Sequence, residues 1–171
     1  MTAAETSVPP WLKRLAVGRH PRRTLARAAA LALAAWVVFK FVLLPVRISG
    51  GSMAPTYRDG RVNFINRLAY RWRAPRRGDV VGIMTTGPHN LYLKRIIGLP
   101  GDTVAIRAGV VWINGRALDE PYVVEREPWQ MEARQLGPDE FLFIGDNRGM
   151  AKEFHLFGVA KADKIAGKVL W

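Results

Sequence analysis

The 171-residue sequence contains no cysteine. That absence removes disulfides, thiolate nucleophiles and thiolate metal sites together, and leaves the redox compartment open. Histidine is scarce, with His20, His89 and His155 the whole complement. A histidine-built metal centre is therefore not expected. None of the three stands in a motif beside a carboxylate suited to a Ser-His-Asp triad. Acidic residues are outnumbered: 14 Asp and Glu face 26 Lys and Arg, a net charge of +12. Such an excess invites a nucleic-acid reading. The basic residues are spread along the chain, however, and no basic motif interleaved with aromatics for stacking bases is present. No nucleic-acid partner is expected. What the chain does have is 49% hydrophobic residues, 16 glycines and 11 prolines. That is enough apolar side chain for a core, with the turn-rich composition of a mainly β protein.

Long apolar runs are also few, and the one at 28–46 stands out. It reads AAALALAAWVVFKFVLLPV, with Lys40 as its only charge. Nineteen residues at ~1.5 Å each make about 28 Å of helix, close to the ~30 Å hydrocarbon core of a bilayer. Lys40 lies near enough to the end to snorkel toward the interface. Lys13, Arg14, Arg19, Arg22, Arg23 and Arg27 precede the run, whereas only Arg47, Arg58 and Arg61 occupy 47–66. The positive-inside asymmetry predicts three parts: a basic cytoplasmic tail over 1–27, a transmembrane helix over 28–46, and an extracytoplasmic domain over 47–171. The lipid bilayer is then a partner of the chain. A cleaved signal peptide and a buried Ala-rich helix are the alternatives, the first disfavoured by the long basic lead-in. Residues 1–24, which include Pro9, Pro10 and Pro21, are expected to lack fixed structure.

Beyond residue 47 the pattern changes to short β-like runs broken by turns. Strands are predicted over 61–66, 79–84, 90–97, 102–107, 110–114, 140–145 and 164–171. The turn signals between them include Arg77-Gly78-Asp79, Leu99-Pro100-Gly101-Asp102, Asn114-Gly115 and Gly145-Asp146-Asn147. The expectation is one compact β domain of antiparallel strands behind a single N-terminal helix.

Chemistry concentrates at two places. Ser52 lies in Ser49-Gly50-Gly51-Ser52-Met53-Ala54-Pro55-Thr56, where the glycines permit close approach of a substrate and Pro55 stiffens the exit. A serine nucleophile needs an exposed hydroxyl, a nearby N–H for the oxyanion, and a base. With histidine excluded, a lysine serves only if burial lowers its pKa from ~10.4. Lys94 lies in Leu91-Tyr92-Leu93-Lys94-Arg95-Ile96-Ile97, and in a strand it shares a face with Tyr92 and Ile96, a setting that desolvates an amine. Taken locally, Ser52 also fits a plain turn and Lys94 an edge-strand lysine.

Three segments taken together go further. Ser-Met-Ala-Pro-Thr at 52–56, Tyr-Leu-Lys-Arg-Ile-Ile-Gly-Leu-Pro-Gly-Asp at 92–102 and Gly-Asp-Asn-Arg at 145–148 resemble, in order, the nucleophile box, the base box and the Gly-Asp-Asn-Arg box of bacterial type I signal peptidases. The resemblance covers roughly 28–171. It implies a signal-peptidase-like β domain on a membrane anchor, with Ser52 as nucleophile and neutral Lys94 as general base, and no cofactor. It further implies cleavage of exported preproteins after small residues, of the Ala-x-Ala type, at the outer face of a bacterial inner membrane. The Ser52 N–H would be one oxyanion donor. Gly50 stands where some members carry a second, hydroxyl donor, leaving that donor unassigned, with Ser49 one residue farther away. Met53 is expected in core packing or facing the membrane, Asp102 in a structural turn, and Asp146, Asn147 and Arg148 in the wall of the site.

The sequence departs from the family after Arg148. Where members continue Ser-x-Asp-Ser-Arg, this chain has Ala151, Lys152, Glu153, Phe154 and His155. Glu153 and His155 are expected to keep the acid–base pairing. Ala151 is expected to leave Lys94 without the hydroxyl that helps to orient it in typical members, so restoring a serine there should help. Two alternatives to a general signal peptidase remain: a specialised relative such as a conjugation-pilus maturation peptidase, and an inactive membrane-tethered domain that binds precursor segments.

Overall fold

A computed structural model describes residues 20–84, 91–155 and 157–170. The chain divides into two units, 1–41 and 42–171. In the first, helix α1 spans Pro21–Val37 and runs into a π-helical turn over Val38–Val42. Pro21 opens the helix, where its missing N–H costs no bond. The helix then continues through alanines and leucines that carry little side-chain entropy cost. Pro21–Val42 is 22 residues long and apolar enough to cross a membrane by length and composition. Lys40 Nζ lies 4.6 Å from the centroid of the Trp36 ring, a cation–π contact that offsets part of the cost of a charge in an apolar helix.

The helix differs from the expected 28–46 stretch at both ends. The helix begins at Pro21, so the 21–24 stretch is helical and not irregular; residues 1–19 lie outside the described residues. The helix stops at Val42, because the backbone of Leu43–Arg47 is strand β1, paired antiparallel with β2 (Val62–Asn66). A shared ladder satisfies those amides as well as a further helical turn would.

The second unit holds two antiparallel sheets. The first has the order β1-β2-β11-β3-β4-β9-β10, built with β3 (Val80–Met84), β4 (Leu91–Gly98), β9 (Glu140–Ile144), β10 (Gly158–Lys161) and β11 (Ile165–Val169). The second has the order β7-β6-β5-β8, from β5 (Thr103–Arg107), β6 (Val110–Ile113), β7 (Arg116–Ala117) and β8 (Met131–Gln135). Every strand run predicted from the sequence overlaps an observed strand; β1, β7, β8 and β10 were not predicted.

The core forms three clusters. One joins the sheets through Ile97, Val104, Ile106, Val111, Leu142 and Ile144. A second seats the 48–57 loop through Ile48, Met53 and Tyr57 on Ile65, Val80 and Leu93. Met53 is thus core packing, 1% exposed. The third lies under Val81, Ile83, Ile96, Phe141 and Phe143. Leu93 belongs to the second cluster and Ile96 to the third, so β4 carries buried residues on both faces on either side of Lys94.

Asp102 is structural, as expected. Its carboxylate accepts the Leu99 N–H at 2.6 Å, Arg77 Nη2 at 2.9 Å and Asn114 Nδ2 at 2.9 Å, tying the turn after β4 to both sheets. Ile97 is fully buried between them. Replacing it with alanine removes three methyl or methylene groups from a packed site, and a loss of about 2–5 kcal/mol is expected. Thermal unfolding of the full chain in detergent checks this, and an unchanged midpoint would contradict the inter-sheet core.

Candidate active site

Ser52 and Lys94 are 42 residues apart in sequence and meet in space. Lys94 sits in mid-strand on β4, its register set by Val81 on β3. Ser52 is carried by the turn after β1, whose following residues are anchored by Met53 and Tyr57. Lys94 Nζ lies 2.5 Å from Ser52 Oγ. Among the described residues that hydroxyl is its one hydrogen-bond partner.

Lys94 is 4% exposed. Burial pushes its amine down to about 8, against the opposing pull of the Asp146 carboxylate. That pull is kept weak because Asp146 is already matched. Arg95 Nε donates to Asp146 Oδ1 at 2.8 Å and Nη2 to Oδ2 at 2.6 Å, a bidentate pair. Thr56 Oγ1 donates to the same carboxylate at 2.6 Å. The Arg95 guanidinium also lies 3.9 Å from the centroid of the Tyr122 ring. Neighbours on one strand therefore take opposite roles: Arg95 stays charged and absorbs the acid, while Lys94 is left to lose its proton.

The Gly145–Arg148 turn straps the nucleophile loop in place. Asn147 N–H donates to the Ser52 carbonyl at 3.1 Å, and Asn147 Nδ2 to the Gly51 carbonyl at 3.0 Å. Gly145 is packed so closely that an added Cβ would come within 2.2 Å of the Ser52 carbonyl oxygen. Behind it, His155 Nε2 accepts the Gly145 N–H at 2.8 Å. Arg148, 1% exposed, donates to the Gly145 carbonyl at 2.8 Å and forms a short buried ion pair with Glu120. The sequence expects Asp146, Asn147 and Arg148 to shape the wall of the site through hydrogen bonds and an ion pair. In the structure they make such bonds and brace the Ser52 loop, but none of them lines the depressions at Ser52 and Lys94.

The segment after Arg148 corrects one expectation. His155 is 2% exposed and Glu153 is exposed, so the two do not pair. His155 instead lies 4.7 Å from Trp129, ring centroid to centroid. Burial, with the charges of Lys94 and Arg148, pushes its imidazole down to about 4. It is neutral at working pH, as its acceptor role requires. Because its folded pKa is depressed from an ordinary ~6.5, its contribution to stability is complete above that value and is lost as pH falls toward about 4. Ala151 is exposed and lines a depression with Trp129, Gln130 and Lys152 that does not include Lys94. The one hydrogen bond of the Lys94 amine among the described residues is to Ser52.

Sequence reasoning missed Arg95, Thr56 and Glu120. Arg95 follows the base directly and carries a signal, since a second cation beside a lysine meant to be neutral needs an acid of its own. Thr56 ends the nucleophile motif. Glu120 stands in no pattern, and only the fold brings it to Arg148.

Two depressions of about 190 Å³ flank the dyad. One exposes Ser52, with Ser49, Gly50, Leu91 and Leu93. The other is bounded by Lys94, Ile83, Phe143 and Val159. Tyr92 lines both. The pairing of β4 with β9 begins only at Arg95 opposite Ile144, so the Leu91–Lys94 half has no β9 partner. No group of three or more His, Cys, Asp or Glu suited to a metal occurs among the described residues.

A hydroxyl in contact with a buried, depressed amine, beside a strand half that is open on its β9 side, suits the chemistry of a serine peptidase. Residues 22–171 match the family described as signal peptidase, peptidase S26. The chain is 32% identical over 85% of its length to a probable signal peptidase I-2 of Synechocystis sp., covering 68% of that protein. It is 30% identical over 78% of its length to signal peptidase IB of Staphylococcus aureus, covering 79% of that protein. The crystal structure of a signal peptidase I from Enterococcus faecalis aligns with 57% of this chain and 98% of its own, at 25% identity and a TM-score of 0.45. The chain belongs to the signal peptidase family, peptidase S26.

Gly145→Ala is expected to abolish or nearly abolish cleavage, because its methyl group displaces the Ser52 backbone. The protein should remain folded by circular dichroism. Cleavage at the wild-type rate would show that the strap does not position the nucleophile.

Proposed function

We propose that Ser52 and Lys94 are the catalytic pair of this signal peptidase and that the β unit works on the outer face of the membrane. As a member of its family the protein is a membrane signal peptidase, a serine endopeptidase that processes exported preproteins. The observation that carries the assignment of the pair is the 2.5 Å contact between a partly buried hydroxyl and an amine held near pKa 8.

Neutral Lys94 takes the proton from Ser52 Oγ as that oxygen attacks the scissile carbonyl. The Ser52 N–H, which donates to no group among the described residues, is aimed to meet the oxyanion. Lys94 then returns the proton to the departing amine. In the second half it takes a proton from water, whose oxygen attacks the acyl-enzyme, and gives it back to Ser52 Oγ as the ester breaks. Ser49 lines the same depression as Ser52 and offers a hydroxyl for a second oxyanion donor. An extended substrate segment pairs along the open Leu91–Lys94 half of β4. The small volumes beside the dyad favour small side chains such as alanine before the cut. Pro21–Val42 crosses the bilayer, with the basic N-terminal region on the cytoplasmic side.

Ser52→Ala and Lys94→Met should each abolish cleavage of an Ala-x-Ala precursor, and the double change should cost little more, because the pair acts as a unit. Wild-type activity should rise with pH through about 8, the value of the buried amine, since only the neutral form is a base. A profile governed by a group above pH 10 would overturn the role of Lys94. Removing the amine should not lower the unfolding temperature at neutral pH. Its depressed pKa means that the unfolded chain holds the proton more tightly from about 8 to 10.5, a cost of burial on the order of 3 kcal/mol below that window.

Protease added outside spheroplasts should digest the region after residue 47. Digestion confined to the N-terminal region would invert the orientation.

A further inference from the structure

Between β2 and β3 the chain runs Arg67-Leu68-Ala69-Tyr70-Arg71-Trp72-Arg73-Ala74-Pro75-Arg76-Arg77-Gly78. The loop contains five arginines and no acid, and Trp72 at its tip is 79% exposed. Exposing most of a tryptophan forfeits a large burial gain, so the shape of the loop matters. It is held from within. Leu68 N–H donates to Asn66 Oδ1 at 2.9 Å, and Arg71 N–H to the Leu68 carbonyl at 3.1 Å. Asp79 accepts from Tyr70 Oη at 3.1 Å, Arg73 Nη1 at 2.9 Å and the Arg76 N–H at 3.1 Å, and Lys168 Nζ lies 2.8 Å from it. The hydrogen bonds from Arg73, Lys168 and Arg76 outweigh burial and hold the Asp79 carboxyl down to about 2. The base of the loop is therefore fixed at any working pH while Trp72 faces outward, with Arg71 and Arg76 exposed beside it.

Its place in the β unit supplies the partner. Arg67 N–H donates to the Val42 carbonyl at 2.9 Å, and Leu43 pairs with Asn66. Val42 is the residue at which the chain enters the β unit from the apolar Pro21–Val42 segment. A tryptophan among arginines, starting beside that point, has the chemistry of a bilayer interface: the indole suits the headgroup level and the guanidinium groups suit phosphate.

We propose that the 67–78 loop docks on anionic phospholipid headgroups through Trp72, Arg71 and Arg76, giving the catalytic unit a second hold on the membrane. The proposal rests on the reading of Pro21–Val42 as a membrane span. An acidic segment of a precursor is the competing occupant.

The absence of cysteine makes Ala74→Cys a unique labelling site on the exposed side of the loop. The full-length protein carrying a fluorophore there is reconstituted into phosphatidylcholine vesicles, with or without an equal part of phosphatidylglycerol. Nitroxide lipids labelled near the headgroup should quench the probe in the anionic vesicles, less in the neutral ones, and less again at high salt. The same probe at Arg116→Cys, on the four-stranded sheet, should be quenched much less. Arg71→Gln and Arg76→Gln should each weaken the partition of the loop to the surface roughly five-fold, and Trp72→Ser should reduce quenching in both vesicle types. Quenching at residue 74 no greater than at 116 overturns the proposal, as does a probe shielded only when precursor is added. Alkaline extraction of the same vesicles separates the two readings. A chain that resists alkali with an unquenched probe refutes the loop contact alone, whereas a chain released by alkali refutes the span and the proposal with it.

Discussion

A lysine amine beside a serine hydroxyl is a useful base only if it can be uncharged, and the site is organised around that constraint. Burial in the middle of a central strand supplies the shift. Burial alone would fail if the nearest carboxylate were free to hold the proton on. Asp146 lies close enough to oppose the shift, and the bidentate Arg95 contact with the Thr56 hydroxyl occupies both of its oxygens. Burial supplies the shift, and the adjacent cation is paired with the carboxylate that opposes it. This pairing explains why a reactive amine and a permanently charged guanidinium stand side by side, their side chains on opposite faces of β4.

The same carboxylate links this electrostatic arrangement to the placement of the nucleophile. Asp146 belongs to the turn that holds the Ser52 and Gly51 carbonyls through Asn147. Its neighbours Gly145 and Arg148 are fixed from behind by His155, Glu120 and Trp129. A buried ion pair such as Arg148–Glu120 gains little net stability after desolvation. Here its geometric effect is clear, because Arg148 also grips the Gly145 carbonyl against which Ser52 packs. His155, expected from the sequence to take part in an acid–base pair, acts as a neutral acceptor for the Gly145 N–H.

Much of this was legible in the residues. Short β-like apolar runs between turn signals located the strands from Val62–Asn66 through Glu140–Ile144. The strands that escaped are those whose composition says something else. β8 reads MEARQ, a set of good helix formers made extended by its ladder with β5. β1 reads LLPVR and prolongs the apolar run of the helix, so hydropathy could not mark where one ends. β7 and β10 are too short to show a period.

From sequence alone came the chemistry that was possible. The absence of cysteine and the scarcity of histidine narrowed the chemistry, and the three motifs taken together, by their resemblance to signal peptidases, singled out Ser52 and Lys94. Those conclusions depend on which side chains exist and on local pattern, both of which a linear chain carries. The tertiary structure decided what those side chains become. The amine is depressed because strands from distant parts of the chain exclude water from it. Glu120 reaches Arg148 across 28 residues, and His155 turns inward to Gly145. Charge state and contact are set by everything within a few ångströms, and most of that is distant in sequence.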